Sequence, residues 1–183
     1  MLMAQTAGAW TLTDLDRLPD DGHRYELVDG DLFVTPAPTT AHEALAYEMR
    51  RILEPYVLAE LLGRVHTPNA AIRAEGSELL PDLMVRRAPP TLLGAWEEMP
   101  IPFLVVEILS PITRRRDHEY KRAFYLRNGV AEYWIVDGEE RTICVVTPNA
   151  DDVVVHRVLT WRPANASAAL VIDVERYFRE ALG

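Results

Sequence analysis

The chain has 183 residues, 49% of them hydrophobic, with 28 acidic and 19 basic side chains and a formal charge of −9; eighteen of the basic residues are arginine and one, Lys121, is lysine. This composition excludes collagen, coiled coil and a disordered chain, and the length suits one domain over residues 1–183 with a sizeable core. The longest apolar stretch, Phe103 to Leu109, carries a glutamate, and the leading Met-Leu-Met-Ala is too short for a secretory signal, so no membrane span and a cytoplasmic location are expected.

Thr11 to Leu18 reads as a short helix capped by Thr11 or Thr13, ended by the turn Pro19-Asp20-Asp21-Gly22. Arg24 to Val28 and Asp31 to Val34 are strands flanking Asp29-Gly30, a dipeptide that predicts a tight hairpin because its glycine tolerates positive φ. A long amphipathic helix follows, opened by the capping box Thr40-x-x-Glu43, with Leu45, Met49, Ile52 and Tyr56 at helical spacing and Gly63 closing the region. Arg64 to Arg73 and Leu80 to Arg87 read as strands, and Ala88 to Pro102 as a proline-bearing connection with room for one helical turn. Phe103 to Leu109 has the near-continuous apolar character of a central strand covered on both faces. A second helix is expected from Asp117 to Arg127, with Asp117 at its positive end and Gly129 as its stop. Glu132 to Val136, Thr142 to Thr147 and Val153 to Trp161 then form an antiparallel set, and Ile172 to Ala181 a terminal helix. Tyr133 and Trp134 read as core in that set, and Cys144, the lone cysteine, as a small core residue of its apolar run. Strands and helices are interleaved without a regular βαβ repeat, which predicts an α/β fold with a mixed sheet flanked by helices.

The chemistry concentrates at three places. Glu107 shares a strand face with Phe103, Val105 and Leu109, none of which can pair with a carboxylate, so it needs a cation, a proton or water. Asp82 opens the strand Leu83-Met84-Val85 directly after Pro81; two carboxylates at the ends of neighbouring strands suit a hard divalent cation that keeps positions open for water and a phosphate oxygen. Lys121 lies four residues from both Asp117 and Tyr125, on one helix face, in a chain that uses arginine for nearly every other cation. Arginine cannot release a proton under working conditions and is a larger, forked group, so the two are not interchangeable at a catalytic position. Other motif classes fail: the five histidines lack His-Glu-x-x-His spacing, no phosphate loop appears, and Ser110 lacks an esterase setting.

Together, Tyr25-Glu26-Leu27-Val28-Asp29-Gly30, the helix beginning near His42, Pro81-Asp82-Leu83, Val106-Glu107-Ile108-Leu109-Ser110-Pro111, Lys121 with Tyr125, and Gly129-Val130-Ala131-Glu132-Tyr133-Trp134-Ile135-Val136-Asp137 resemble the Uma-type family of bacterial restriction endonucleases. That family belongs to the PD-(D/E)xK nuclease superfamily, and the resemblance runs from about Thr11 to Pro148. It implies a restriction-endonuclease-like fold, with Asp82 and Glu107 as catalytic acids binding Mg²⁺ or Mn²⁺. At the next position on the same strand face the general pattern has lysine and this chain has Leu109, so the amine would come from Lys121 on the following helix. Glu26 corresponds to a further acidic residue that such sites recruit, and His42, in the first turn of the long helix, is placed to approach the same cleft. Arg114, Arg115 and Arg116 are candidate phosphate contacts.

The expected activity is metal-dependent hydrolysis of phosphodiester bonds, with DNA as substrate and a homodimer as the working form. An acidic chain meets nucleic acid through a local basic patch rather than its overall charge. Two other readings fit the same residues: a non-catalytic interaction protein that retains the fold, favoured by Leu109 and the charge of −9, and a nuclease subunit that needs a partner.

Overall fold

The computed structural model describes residues 9–35, 37–88, 94–110 and 114–183, with the side chain of Arg115 left aside. The predicted connection therefore falls partly outside the described residues; its helical turn is a 3₁₀ turn at Trp96–Glu98.

Helix α1 (Leu12–Leu15) is capped by Thr11, which closes a capping box with Asp14. Strands β1 (Arg24–Val28) and β2 (Asp31–Thr35) pair antiparallel with Val28 opposite Asp31, so Asp29 and Gly30 are the whole turn, both at positive φ as a two-residue hairpin of this hand requires. Helix α2 (Thr40–Ala59) begins one residue earlier than the capping box predicts. Thr39 is the cap, its hydroxyl accepting the N–H of His42, while Thr40 is already helical. Both threonines are competent caps; the turn phase that buries Leu45, Ala46, Met49, Leu53 and Val57 on one face selects between them. Thr39→Ala is therefore expected to lower stability by about 1 kcal/mol in urea denaturation, and Thr40→Ala by less than about 0.5 kcal/mol.

The stretch expected as one strand from Arg64 to Arg73 is two, β3 (Arg64–His66) and β4 (Ile72–Ala74), broken around Asn69, which has positive φ. A hairpin the sequence reading missed joins β4 to β5 (Ser77–Leu79) through Glu75-Gly76. Strands β6 (Leu83–Arg86), β7 (Leu104–Ile108), β8 (Glu132–Asp137) and β9 (Thr142–Val146) then build the central sheet. Gly63 has its physical reason here: a Cβ on it would lie 2.1 Å from the carbonyl oxygen of Arg86. Val153 to Trp161 also divides. β10 (Val153–Val155) pairs with β9, whereas β11 (Val158–Trp161) leaves the sheet to pair with β12 (Leu170–Asp173). The terminal helix accordingly starts later than predicted, as α5 (Val174–Leu182), with Asp173 as its cap.

The six-stranded sheet runs in the order β10-β9-β8-β7-β6-β3, and β7–β8 is its parallel pair. The smaller sheet has the order β2-β1-β5-β4. Strand alternation separates two cores. Leu104, Val106, Ile108, Trp134 and Val136 pack with α2, α5 and the ring of Trp161. Val105, Met84, Tyr133 and Ile135 pack on the other face, with Phe124, Tyr125, Val28, Ile72 and Leu79. Tyr133 and Trp134 are both fully buried, as expected, and the half-buried Cys144 packs against the second core.

The segment between β7 and β8 is helical from Arg114, earlier than predicted: α3 (Arg114–Arg116), a π turn at Asp117–Lys121 and α4 (Arg122–Arg127). Asp117 is thus buried inside the helical segment rather than placed at its positive end. The buried hydroxyl of Tyr133 donates to the Asp117 carbonyl at the start of the π turn at 3.1 Å.

At the end of β8, burial opposes the charge of Asp137, but the N–H of Glu140, the Arg114 guanidinium at 2.8 Å and the N–H of Glu139 outweigh it and lower its pKa. A carboxyl lowered in the folded state stabilises above its ordinary value of 3.8, and that contribution disappears as pH falls through the folded value. Asp137→Asn should therefore be less stable than the parent at pH 7, with the gap closing below about pH 4 in a pH series of urea melts.

Candidate active site

The site lies at the C-terminal end of β7, on the sheet face that carries the second core. Leu83 pairs with Val106 across β6 and β7, and continuing that register by one residue sets Asp82 opposite Glu107. Both carboxylates therefore leave the sheet on the same side. Like charges facing each other across a strand pair are destabilising unless cations intervene, and here they do.

Glu107 Oε1 accepts from Lys121 Nζ at 2.7 Å and from the hydroxyl of Tyr125 at 2.7 Å. Lys121 Nζ also lies 2.9 Å from Glu26 Oε1 and 3.7 Å from Asp117 Oδ1. The lysine side chain is 1% exposed, and Glu26, Glu107 and Asp117 are equally enclosed. The π turn and α4 carry Asp117, Lys121 and Tyr125 at four-residue intervals, which aims all three at the sheet. Glu26 comes from β1, held by the N–H of Leu80 at 3.0 Å and by Arg116 at 3.4 Å.

Asp82 has a separate set of partners. Its Oδ2 accepts the N–H of Ile108 at 2.9 Å, and its Oδ1 faces Arg24 at 2.8 Å and His42 Nε2 at 3.2 Å. Arg24 also donates to the carbonyl of Leu80. These groups, with Thr35, Thr39, Ser110 and Arg116, line a pocket of about 120 Å³.

Burial pushes the Asp82 carboxyl up, but the hydrogen bond and charge of His42, then Arg24 and Lys121, hold it well below the usual carboxylate range. Glu26 is lowered because Lys121, Arg116 and Arg24 outweigh its burial. Glu107 moves the other way: burial raises it, Lys121 opposes, and the neighbouring Asp82, Asp117 and Glu26 raise it further. Burial lowers Lys121, yet Glu107 and Glu26 leave it raised, so the amine is held as an ammonium ion. The hydrogen bond to Asp82 likewise raises His42 against its burial.

The structure thus brings together Asp82, Glu107, Lys121, Glu26 and His42. Arg116 is buried at the same place, bonded to Thr35 at 2.7 Å and stacked on Phe33, while Arg114 turns to Asp137 and Glu139. The Arg115 side chain lies outside the described residues. Leu109, at the usual lysine position, packs against the second core. Sequence reasoning missed Arg24 as the partner of Asp82, since nothing local distinguishes it among eighteen arginines.

The sequence model of a family described as "putative restriction endonuclease", Uma2, matches residues 12–175. The chain belongs to the Uma2 family. A crystal structure from Anabaena variabilis, described as a putative nuclease belonging to DUF820, is similar to this Uma2 chain with a TM-score of 0.82 and 23% identity, over 94% of this chain and 99% of that one. The shared architecture is the restriction-endonuclease-like mixed sheet flanked by helices. No curated protein is similar to this chain. Among the described residues no three His, Cys, Asp or Glu side chains form a ready ligand set for a metal, and no helix is long and apolar enough to cross a membrane. Membership of Uma2 supports a nuclease acting on nucleic acid.

Proposed function

We propose that the chain works as one domain, an endonuclease that hydrolyses phosphodiester bonds of DNA in the cytoplasm with Mg²⁺ or Mn²⁺, as a homodimer that presents one site to each strand. The observation that carries this reading is the enclosure of the only lysine between Glu107 and Glu26, on the sheet face where Asp82 arrives from β6. The donor set fits a hard cation: Mg²⁺ takes one or two protein carboxylates and keeps several waters, and Asp82 and Glu107 line one pocket. Bound there, the ion would supply Lewis acidity and an acidified water.

The side chains account for the rest. Tyr125 and Lys121 fix the orientation of Glu107 through its Oε1. The Lys121 ammonium, already desolvated, stabilises negative charge that develops on a phosphate entering the pocket, as a preorganised cation does without reorienting solvent. Lys121 replaces the amine that Leu109 lacks because the π turn brings the helix, rather than the strand, to the carboxylates. Arg24, Arg116 and His42 make the opposite wall basic and attract the backbone phosphate despite the charge of −9. Arg114, which pairs with Asp137 and Glu139, would contact a flanking phosphate only by leaving them.

Incubation of supercoiled plasmid with the protein and Mg²⁺ or Mn²⁺ should give nicked and linear forms, and EDTA should abolish them. Intact plasmid with either metal would overturn the reading. The mutual pairing of the site's charges without metal favours one rival, a non-catalytic interaction protein; it predicts no Mn²⁺ binding to the folded chain and no cleavage.

A further inference from the structure

We propose that Arg24 is a built-in counter-ion of the site, holding Asp82 while no divalent cation is bound and transferring its guanidinium to the substrate phosphodiester when one binds. The inference rests on the metal-dependent reading above and adds to it a regulation of cation entry.

The geometry gives Asp82 one oxygen with a structural duty and one with an exchangeable one. Oδ2 is fixed by the Ile108 N–H inside the sheet, whereas Oδ1 faces Arg24 and His42. A cation seeking an Asp82 oxygen meets Arg24 as its competitor. The Arg24 side chain is 17% exposed, while its partner Asp82 is 4% exposed, so the guanidinium covers the carboxylate from the solvent side. The other two permanent cations are tied in more deeply: Lys121 is enclosed by Glu26, Glu107 and Asp117, and Arg116 is 9% exposed and bonded to Thr35. The buried Nε of Arg24 has no hydrogen-bond partner among the described residues, which is equally true of Arg116 Nε, so exposure and not satisfaction separates the two. Arg24 is anchored at the first residue of β1, so the long side chain can change partner without moving the sheet.

Charge counting points the same way. Among the described residues, four buried carboxylates, Glu26, Asp82, Glu107 and Asp117, face three permanent cations, Arg24, Arg116 and Lys121, which leaves one negative charge in that set. A divalent cation turns it into one positive charge, the complement of a single phosphodiester. At that moment Asp82 no longer needs Arg24, and a forked guanidinium beside the pocket matches two phosphate oxygens.

The test is Mn²⁺ titration of the full chain without nucleic acid, followed by DNA binding in Ca²⁺, for the parent, Arg24→Gln, Arg24→Lys and Asp82→Asn. Removing the competitor should tighten Mn²⁺ binding about tenfold in Arg24→Gln, because the apparent affinity of the parent is reduced by the fraction of molecules in which Asp82 is occupied. Arg24→Lys, which keeps the charge and protects folding, should fall between the two in Mn²⁺ affinity. Both variants should bind DNA more weakly than the parent, and Asp82→Asn should lose the Mn²⁺ site. A merely structural arginine would leave Mn²⁺ affinity unchanged or weakened in both Arg24 variants, and that result overturns the inference while the nuclease reading stands. Tighter Mn²⁺ binding with unaltered DNA affinity overturns the transfer to phosphate. Absence of Mn²⁺ binding in the parent and every variant overturns the metal-dependent reading and this inference together.

Discussion

Lys121→Met is expected to remove cleavage and to cost about 3–5 kcal/mol of stability, the range for deleting one partner of a buried ion pair. The methionine fills much of the same volume, so the loss is electrostatic: Glu107 and Glu26, both fully enclosed, lose the ammonium at 2.7 and 2.9 Å that makes their burial tolerable. Cleavage should fall by about 10²–10⁴, the span typical of a positioned group that moves or neutralises charge in the transition state. Urea denaturation measures the first quantity and plasmid nicking the second. Glu26→Gln in the Lys121→Met background should recover part of the stability, because one uncompensated charge disappears with it, and the double-mutant cycle should give a coupling of about 0.5–3 kcal/mol. Lys121→Arg separates charge from chemistry. It keeps a cation, so it should lose less stability than Lys121→Met, but the forked group does not fit a 1% exposed position shaped for an amine, and cleavage should not return. Parental stability and cleavage in Lys121→Met would sink the assignment of the lysine.

Asp82→Asn should lower cleavage by about 10³ or more, since several kcal/mol of charge stabilisation at the phosphate depends on the cation that Asp82 would hold and each 1.36 kcal/mol is a factor of ten. The fold should survive. Asparagine keeps the shape and an acceptor for the Ile108 N–H, and what it loses is the charge that Arg24 and His42 share. The expected stability loss is about 1.5–3 kcal/mol, the worth of hydrogen bonds to a charged group, with an unaltered near-ultraviolet circular dichroism spectrum. Cleavage at the parental rate in this variant would remove Asp82 from the site.

The acidic pair and the lysine were legible in the chain for a simple reason. A glutamate inside an apolar strand, a Pro-Asp before another strand and one lysine among eighteen arginines are each anomalies against their local background. Arg24 and Arg116 are not anomalies of that kind. Arg24 meets Asp82 across 58 residues of sequence only because the start of β1 comes to lie beside the start of β6. Arg116 sits in a run of three arginines expected to contact phosphate, yet it is buried against Glu26, Thr35 and Phe33. The errors in the elements have the same origin. Val153 to Trp161 alternates like one strand, but Trp161 packs edge-on to Trp134 at 5.5 Å within the first core, and that burial takes β11 out of the sheet to pair with β12.

By itself the sequence determined which groups are present and which local shapes are open to them: the two-residue turn at Asp29-Gly30, the amphipathic face of α2, the doubly covered strand β7 and the unlike character of its lone lysine. Those are consequences of steric preference and of hydrophobic period, which act over a few residues. Only the tertiary structure decided how the charges are shared. Which carboxylate meets which cation depends on strand register, on the π turn that aims Lys121 at the sheet, and on burial that makes every unpaired charge costly. These constraints join segments dozens of residues apart, and no short stretch of this chain carries them.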